Sequence, residues 1–154
     1  MSQNMKLNSS YNILHKLGYG AYSNVFLGIH RFSGMKVAIK IIQKNTDENI
    51  QENKYLDILR ETKIFQSLNH PNIVKLFEFF EDEKNFYFVE ELCEHGTVAQ
   101  YIHNFGFSEG PDCKLIFLQL INAISYLHNY AGILHCDIKA ENVLLDSNNN
   151  VKLA

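Results

Sequence analysis

His135-Cys136-Asp137-Ile138-Lys139-Ala140-Glu141-Asn142 sets a carboxylate, a cation and an amide close together in a segment that follows an apolar helical stretch and precedes a short strand-like one. Standing alone, the octapeptide is equally well a polar loop that caps a helix. What lies upstream decides between the two readings.

Gly18-Tyr-Gly20-Ala-Tyr-Ser23-Asn-Val25 lies between two strand-like runs. Bare backbone there can approach phosphates and donate N–H groups with no Cβ in the way. Glycine pairs are also common in ordinary hairpins. A dinucleotide-binding fold would need strand, glycines and then a helix, which is not the order here. Downstream, Val37-Ala38-Ile39-Lys40 closes a β-branched strand. A lysine at a strand end is usually solvated, yet this strand is apolar, and the next helical stretch carries an unmatched carboxylate. Glu61 falls in the stripe of Ile58, Phe65 and Leu68, at helical steps of three and four. Lys40 and Glu61 are expected to answer each other's charge and leave the ammonium turned toward nucleotide phosphates.

Transfer of a phosphoryl group from ATP needs a group to take or orient a hydroxyl proton, a positive charge near the moving phosphoryl group, and an oxygen ligand for magnesium. Asp137, Lys139 and Asn142 supply these in order. With the glycine loop, lysine strand and glutamate helix preceding it in sequence, the octapeptide is far better explained as catalytic than as a cap.

Strands are expected over 11–17, 24–30 and 36–42, with the turn Arg31-Phe-Ser-Gly34 joining the last two. The polar segment 45–53 leads into a helix over 55–68 that ends at His70-Pro71, and strands follow over 73–80 and 86–90. From Gly96 the pattern turns helical. The clearest helix spans 108–130, with Ser108 as cap, Pro111 in the first turn and Gly132 beyond the end. It is apolar almost all round and calls for cover on several faces. Short strands at 143–145 and 151–154 flank the turn Asp146-Ser-Asn-Asn-Asn150.

The 154 residues suffice for one domain with a real core, and a net charge of -3 argues against nucleic acid or anionic lipid as partner. Cys93, Cys113 and Cys136 are odd in number and far apart, matching neither a disulfide framework nor a CxxC metal site. The N-terminal ten residues are polar, and no stretch reaches the roughly 18 apolar residues of a membrane span. Cytoplasm or nucleus is the expected location.

The order of these motifs resembles the eukaryotic protein kinases over essentially the whole chain, and in particular the calmodulin-dependent and AMP-activated-like branch. The resemblance implies an α+β fold: a complete five-stranded N-lobe with one regulatory helix over 11–90, after a ten-residue extension, and a hinge plus the first part of a helical C-lobe over 91–154. It implies ATP and Mg2+ as cofactors and a protein Ser/Thr hydroxyl as acceptor. Leu17, Gly18, Gly20, Val25, Ala38, Lys40, Glu91 and Cys93 would bind the nucleotide. Lys40 would pair with Glu61, Asp137 would be the catalytic base, Lys139 would face the γ-phosphate, and Asn142 would bind one magnesium. Lysine two places after Asp137 resembles the serine/threonine kinases.

Several positions depart from the family pattern. Ser23 replaces a third glycine, a minor change. Cys136 stands where many members carry the arginine that receives an activation-loop phosphate, which implies constitutive or otherwise controlled activity. Glu90 falls at the family's gatekeeper position at the back of the adenine pocket, where a buried carboxylate finds Lys40 or a neighbouring donor, or titrates to its neutral form, the alternative being a register shifted by one residue in 88–96. Thr97 replaces an acidic residue and Glu141 is kept, so a preference for arginine upstream of the target is half supported. The family follows Val-Lys-Leu-Ala with Asp-Phe-Gly, whose aspartate holds magnesium. Removing one preorganised group of this kind costs about 3 to 4 kcal/mol, so the chain as given is expected to have very low activity and, with one helix side uncovered, poor solubility. The alternative is a non-catalytic ATP-binding or decoy module that pairs with a full kinase. A metabolite kinase of related fold is a third reading, disfavoured by the lysine-glutamate pair and the HxDxKxxN spacing.

Overall fold

The computed structural model describes residues 7, 9–19, 23–44, 48–106 and 113–154, with the backbone alone at 48–54 and 105. The expected Gly20, Ser108 and Pro111 lie outside the described residues. The chain divides into two compact units, one of residues 1–67 and 75–92, the other of residues 68–74 and 93–154.

The first unit is built on one antiparallel sheet. Its strands are β1 (Tyr11–Tyr19), β2 (Ser23–His30), β3 (Lys36–Gln43), β4 (Leu76–Glu81) and β5 (Asn85–Glu91), in the order β1-β2-β3-β5-β4. The β2–β3 connection is the expected tight turn. Gly34 there has φ 72, a left-handed conformation that glycine enters without steric cost, and its N–H donates to the His30 carbonyl at 2.9 Å. Strand β3 alternates as a pleated strand must: Val37 and Ile39 are fully buried, whereas Ala38 and Lys40 are half-buried. The buried set packs with Leu7, Tyr11, Phe80, Tyr87 and Val89 into one core.

Helix α1 (Glu48–Ser67) belongs to the same unit and begins seven residues before the expected start at 55. Polar residues at 48–54 carry no apolar period, so their helicity leaves no hydrophobic signature. The inward stripe also differs from expectation. Tyr55, Ile58 and Leu59 are half-buried and Thr62 is buried, but Glu61 and Phe65 are exposed.

The second unit holds α2 (Val98–Phe105), α3 (Cys113–Tyr126) and the hairpin of β6 (Val143–Leu145) and β7 (Val151–Leu153). Helix α2 opens with a reciprocal cap: the Gln100 N–H donates to Thr97 Oγ1 at 3.1 Å, and the Thr97 N–H donates to Gln100 Oε1 at 2.9 Å. Helix α3 ends earlier than expected as an α-helix and passes into one π-helical turn, Leu127–Ala131, closed by Gly132 at φ 65. Its core side presents Ala123 with half-buried Ile116, Leu120 and Ile124, against Leu68, Ile73, Val98, Leu127, Val143, Leu145, Val151 and Leu153. Its other side, Leu115, Phe117, Leu118 and Ile121, is exposed among the described residues, Phe117 by 62%. None of the described helices is long and apolar enough to cross a membrane.

Candidate active site

Two groups of the expected residues occur, one in each unit. In the first, the sheet register does the positioning. Val25 pairs with Lys40, Leu27 with Ala38, Ala38 with Glu90 and Lys40 with Phe88, while Gly18 pairs with Val25. Directly opposed residues share a face, so Gly18, Val25, Ala38, Lys40 and Glu90 all stand on the face opposite the buried Val37, Ile39 and Val89. Leu17 is exposed beside the register irregularity that lies between Lys16 and Gly18. Glu91 stands on the other face from Glu90, opposite Val37, and its N–H donates to the Lys75 carbonyl at 2.8 Å.

The expected pairing of Lys40 with Glu61 is not made. Among the described residues Lys40 enters no ion pair, and Glu61 is exposed on α1. The physical reason lies in the anchoring of the helix. The Tyr55 hydroxyl donates to Glu81 Oε1 on β4 at 3.0 Å, and Lys44 Nζ at the end of β3 holds Glu81 Oε2 at 2.7 Å. With Tyr55 turned inward, helical geometry turns Ile58, Leu59 and Thr62 inward too and leaves Glu61 on the solvent side.

The carboxylate beside Lys40 on its face of the sheet is Glu90, diagonal to it across the β3–β5 ladder. It keeps some exposed surface but is densely surrounded, and burial pushes its carboxyl pKa up, while the Lys40 ammonium pulls it down in part. The gatekeeper reading of Glu90 anticipated a carboxylate in need of a partner, and the β3–β5 register shows which charge is near it.

In the second unit, Asp137, Lys139 and Asn142 are brought together. Lys139 Nζ donates to Asp137 Oδ2 at 2.8 Å, and Asn142 Nδ2 donates to the same oxygen at 2.9 Å and to the Asp137 backbone carbonyl at 2.8 Å. The hydrogen bond from Lys139, then that from Asn142, holds the Asp137 carboxyl below the usual carboxylate range. The same contact with Asp137 raises the Lys139 ammonium, so both groups keep their charge at neutral pH.

The loop is fastened from both sides. Asn142 ends a 3-10 turn, Ala140–Asn142, directly before β6, and its carbonyl accepts from the Ala154 N–H at 2.9 Å. His135 Nδ1 accepts from the Asp137 N–H at 3.3 Å, which leaves the ring proton on Nε2, 2.9 Å from the Ala154 carbonyl. Between them Cys136 adopts φ 60, an uncommon conformation for a residue with a side chain. Cys93 is half-buried, and its carbonyl accepts from the Gly96 N–H at 3.2 Å. Sequence reasoning missed Tyr55, Lys44 and Glu81, which no local motif links.

Among the described residues no group of three or more His, Cys, Asp or Glu side chains could hold a metal ion. Asn142 commits its amide nitrogen to Asp137, which leaves Oδ1 as a hard oxygen donor suited to Mg2+.

Residues 11–154 match the family model described as "Protein kinase domain". The chain is 40% identical over 153 residues to "Hormonally up-regulated neu tumor-associated kinase homolog A" of Xenopus laevis, covering 98% of this chain and 22% of that protein. The homolog from Xenopus tropicalis is also 40% identical over 153 residues, with 98% and 21% covered. "Hormonally up-regulated neu tumor-associated kinase" of Homo sapiens is 39% identical over 140 residues, with 90% and 19% covered. The chain thus spans about a fifth of the length of the curated relatives it matches.

Proposed function

The chain belongs to the protein kinase family, and we propose that it carries the ATP-binding part of a serine/threonine kinase that phosphorylates protein hydroxyl groups. The observation that carries the reading is the convergence of Lys139 and Asn142 on one oxygen of Asp137.

In this reading Gly18, Val25 and Ala38 form the surface against the nucleotide, with Leu17 and Glu91 at its margin and Lys40 toward the phosphates. The Asp137 carboxylate accepts the proton of the Ser or Thr hydroxyl as its oxygen bonds to the γ-phosphorus. The bond from that phosphorus to the bridging oxygen breaks, and its electron pair leaves with ADP. Lys139 offsets negative charge on the moving phosphoryl group. Asn142 Oδ1 would hold Mg2+, which would supply charge neutralisation on the phosphates.

Transfer of labelled γ-phosphate to serine, threonine and tyrosine peptides tests this, with the longest expressed form of the protein. Label on serine or threonine that disappears in Asp137→Asn is expected. Label on tyrosine alone, or transfer indifferent to Asp137→Asn, would overturn the reading. The absence of a Lys40–Glu61 ion pair favours a second reading, a non-catalytic ATP-binding module. Stoichiometric MgATP binding with no turnover in that longest form would select it.

A further inference from the structure

The face of the first unit's sheet that carries Ala38 sets a carboxylate near the Lys40 ammonium. Lys40 opposes Phe88, and Glu90 opposes Ala38, so Lys40 and Glu90 are diagonal neighbours on one face, a relation that spans about 7 to 8 Å between backbones. Long side chains cross that gap readily. Glu61, the carboxylate expected for Lys40, is exposed on the far side of its own helix. Among the described residues, the acid next to Lys40 across the β3–β5 ladder on this face is Glu90.

We propose that Glu90 is the resting counter-ion of Lys40, so that a nucleotide's phosphates must draw the lysine away from it and Glu90 sets how tightly phosphorylated nucleotides bind. This rests on the proposal that the face binds ATP. Three observations on the page converge on it: the β3–β5 register, the outward turn of Glu61, and the dense surroundings of Glu90, in which a neutral or paired carboxyl is favoured. A carboxylate in this place competes with a triphosphate for the lysine, and that competition does not touch a ligand without phosphates.

The test is calorimetric titration of the unaltered protein, Glu90→Gln and Glu90→Met with MgATP and, separately, with adenosine, repeated in a Lys40→Met background. Glu90→Gln keeps the shape and removes the charge; Glu90→Met guards against an effect of the amide alone. Both are expected to tighten MgATP by about fivefold while adenosine changes by less than about twofold, and the gain is expected to vanish in Lys40→Met. MgATP affinity that is unchanged or weaker in both variants overturns the proposal. So does an equal gain for adenosine, or a gain that persists without Lys40. If the unaltered protein binds no MgATP, the nucleotide-binding reading itself falls, and this proposal with it, whereas binding with no effect of Glu90 removes the proposal alone.

Discussion

Tyr55 on α1 and Glu81 on β4 are joined by a 3.0 Å hydrogen bond, and the Glu81 carboxylate is held on its other oxygen by Lys44. Lys44 Nζ also lies 4.6 Å from the centroid of the Phe86 ring, so its charge faces both a carboxylate and an aromatic surface. The hydrogen bond to Glu81 pushes the Tyr55 hydroxyl pKa up. This partly buried knot, more than any contact near Glu61, fixes the rotation of the helix on the sheet.

Tyr55→Phe deletes the hydroxyl and keeps the ring. Stability is expected to fall by about 1 kcal/mol, the usual net worth of one such bond. Amide exchange in α1 should accelerate more than in β3, because β3 is held by ladders on both sides. Equal protection of α1 in the variant and the parent would show that the knot does not hold the helix.

Under the proposed function, Asp137→Asn removes the proton acceptor while leaving the loop's shape. Phosphoryl transfer is expected to drop by about 100- to 10,000-fold, with nucleotide affinity nearly unchanged. The depressed carboxyl pKa also fixes a sign. Asp137 remains ionised, the form that accepts a proton, at any pH well above 3.8, so no loss of rate from this group is expected through the mildly acidic range. Steady-state rates across that range, compared between parent and variant, provide the measurement.

Glu90 has its folded-state pKa raised above the ordinary 4.5, chiefly by burial. Below 4.5 the carboxyl is neutral in both folded and unfolded chains and the fold is not penalised. As pH rises from there toward the folded-state value, ionisation favours the unfolded chain and stability is lost. Glu90→Gln cannot ionise, so near neutral pH it should melt higher than the parent by about 3 °C, a difference that closes as the solution is acidified toward 4.5. Melting curves at several pH values decide it; a constant difference at all pH values would rule out a titrating Glu90.

Thr97→Ala removes Oγ1 from the reciprocal cap at the start of α2 and leaves the Gln100 N–H without its acceptor, while the backbone N–H of residue 97 still donates to Gln100 Oε1. A loss of about 1 kcal/mol is expected, with Thr97→Ser retaining most of it. Denaturant midpoints of the three proteins are the check.

Strands with a strong apolar alternation were legible from sequence, and β3 is the example: Val37 and Ile39 inward, Ala38 and Lys40 on the other side. The spacing of Asp137, Lys139 and Asn142 was legible too, since a short loop leaves three polar side chains little choice but to meet. The helix was read less well. Its polar first half offers no period, and a stripe through Glu61 and a stripe through Thr62 differ by one position, which only the contact of Tyr55 with Glu81 separates. Lys40 could be named from the sequence as a partner for Glu90, but which residues of β3 and β5 align is a non-local register that no window of sequence contains.

Two oxygens of one carboxylate are interchangeable on paper, but at Asp137 they have been made unequal. Both neighbours, Lys139 and Asn142, grip Oδ2, and among the described residues none engages Oδ1. One atom thus serves as a hinge pin while the other keeps its lone pairs for a visitor. Under the proposed function, the loop's geometry would leave a single oxygen to take up a proton before any substrate arrives.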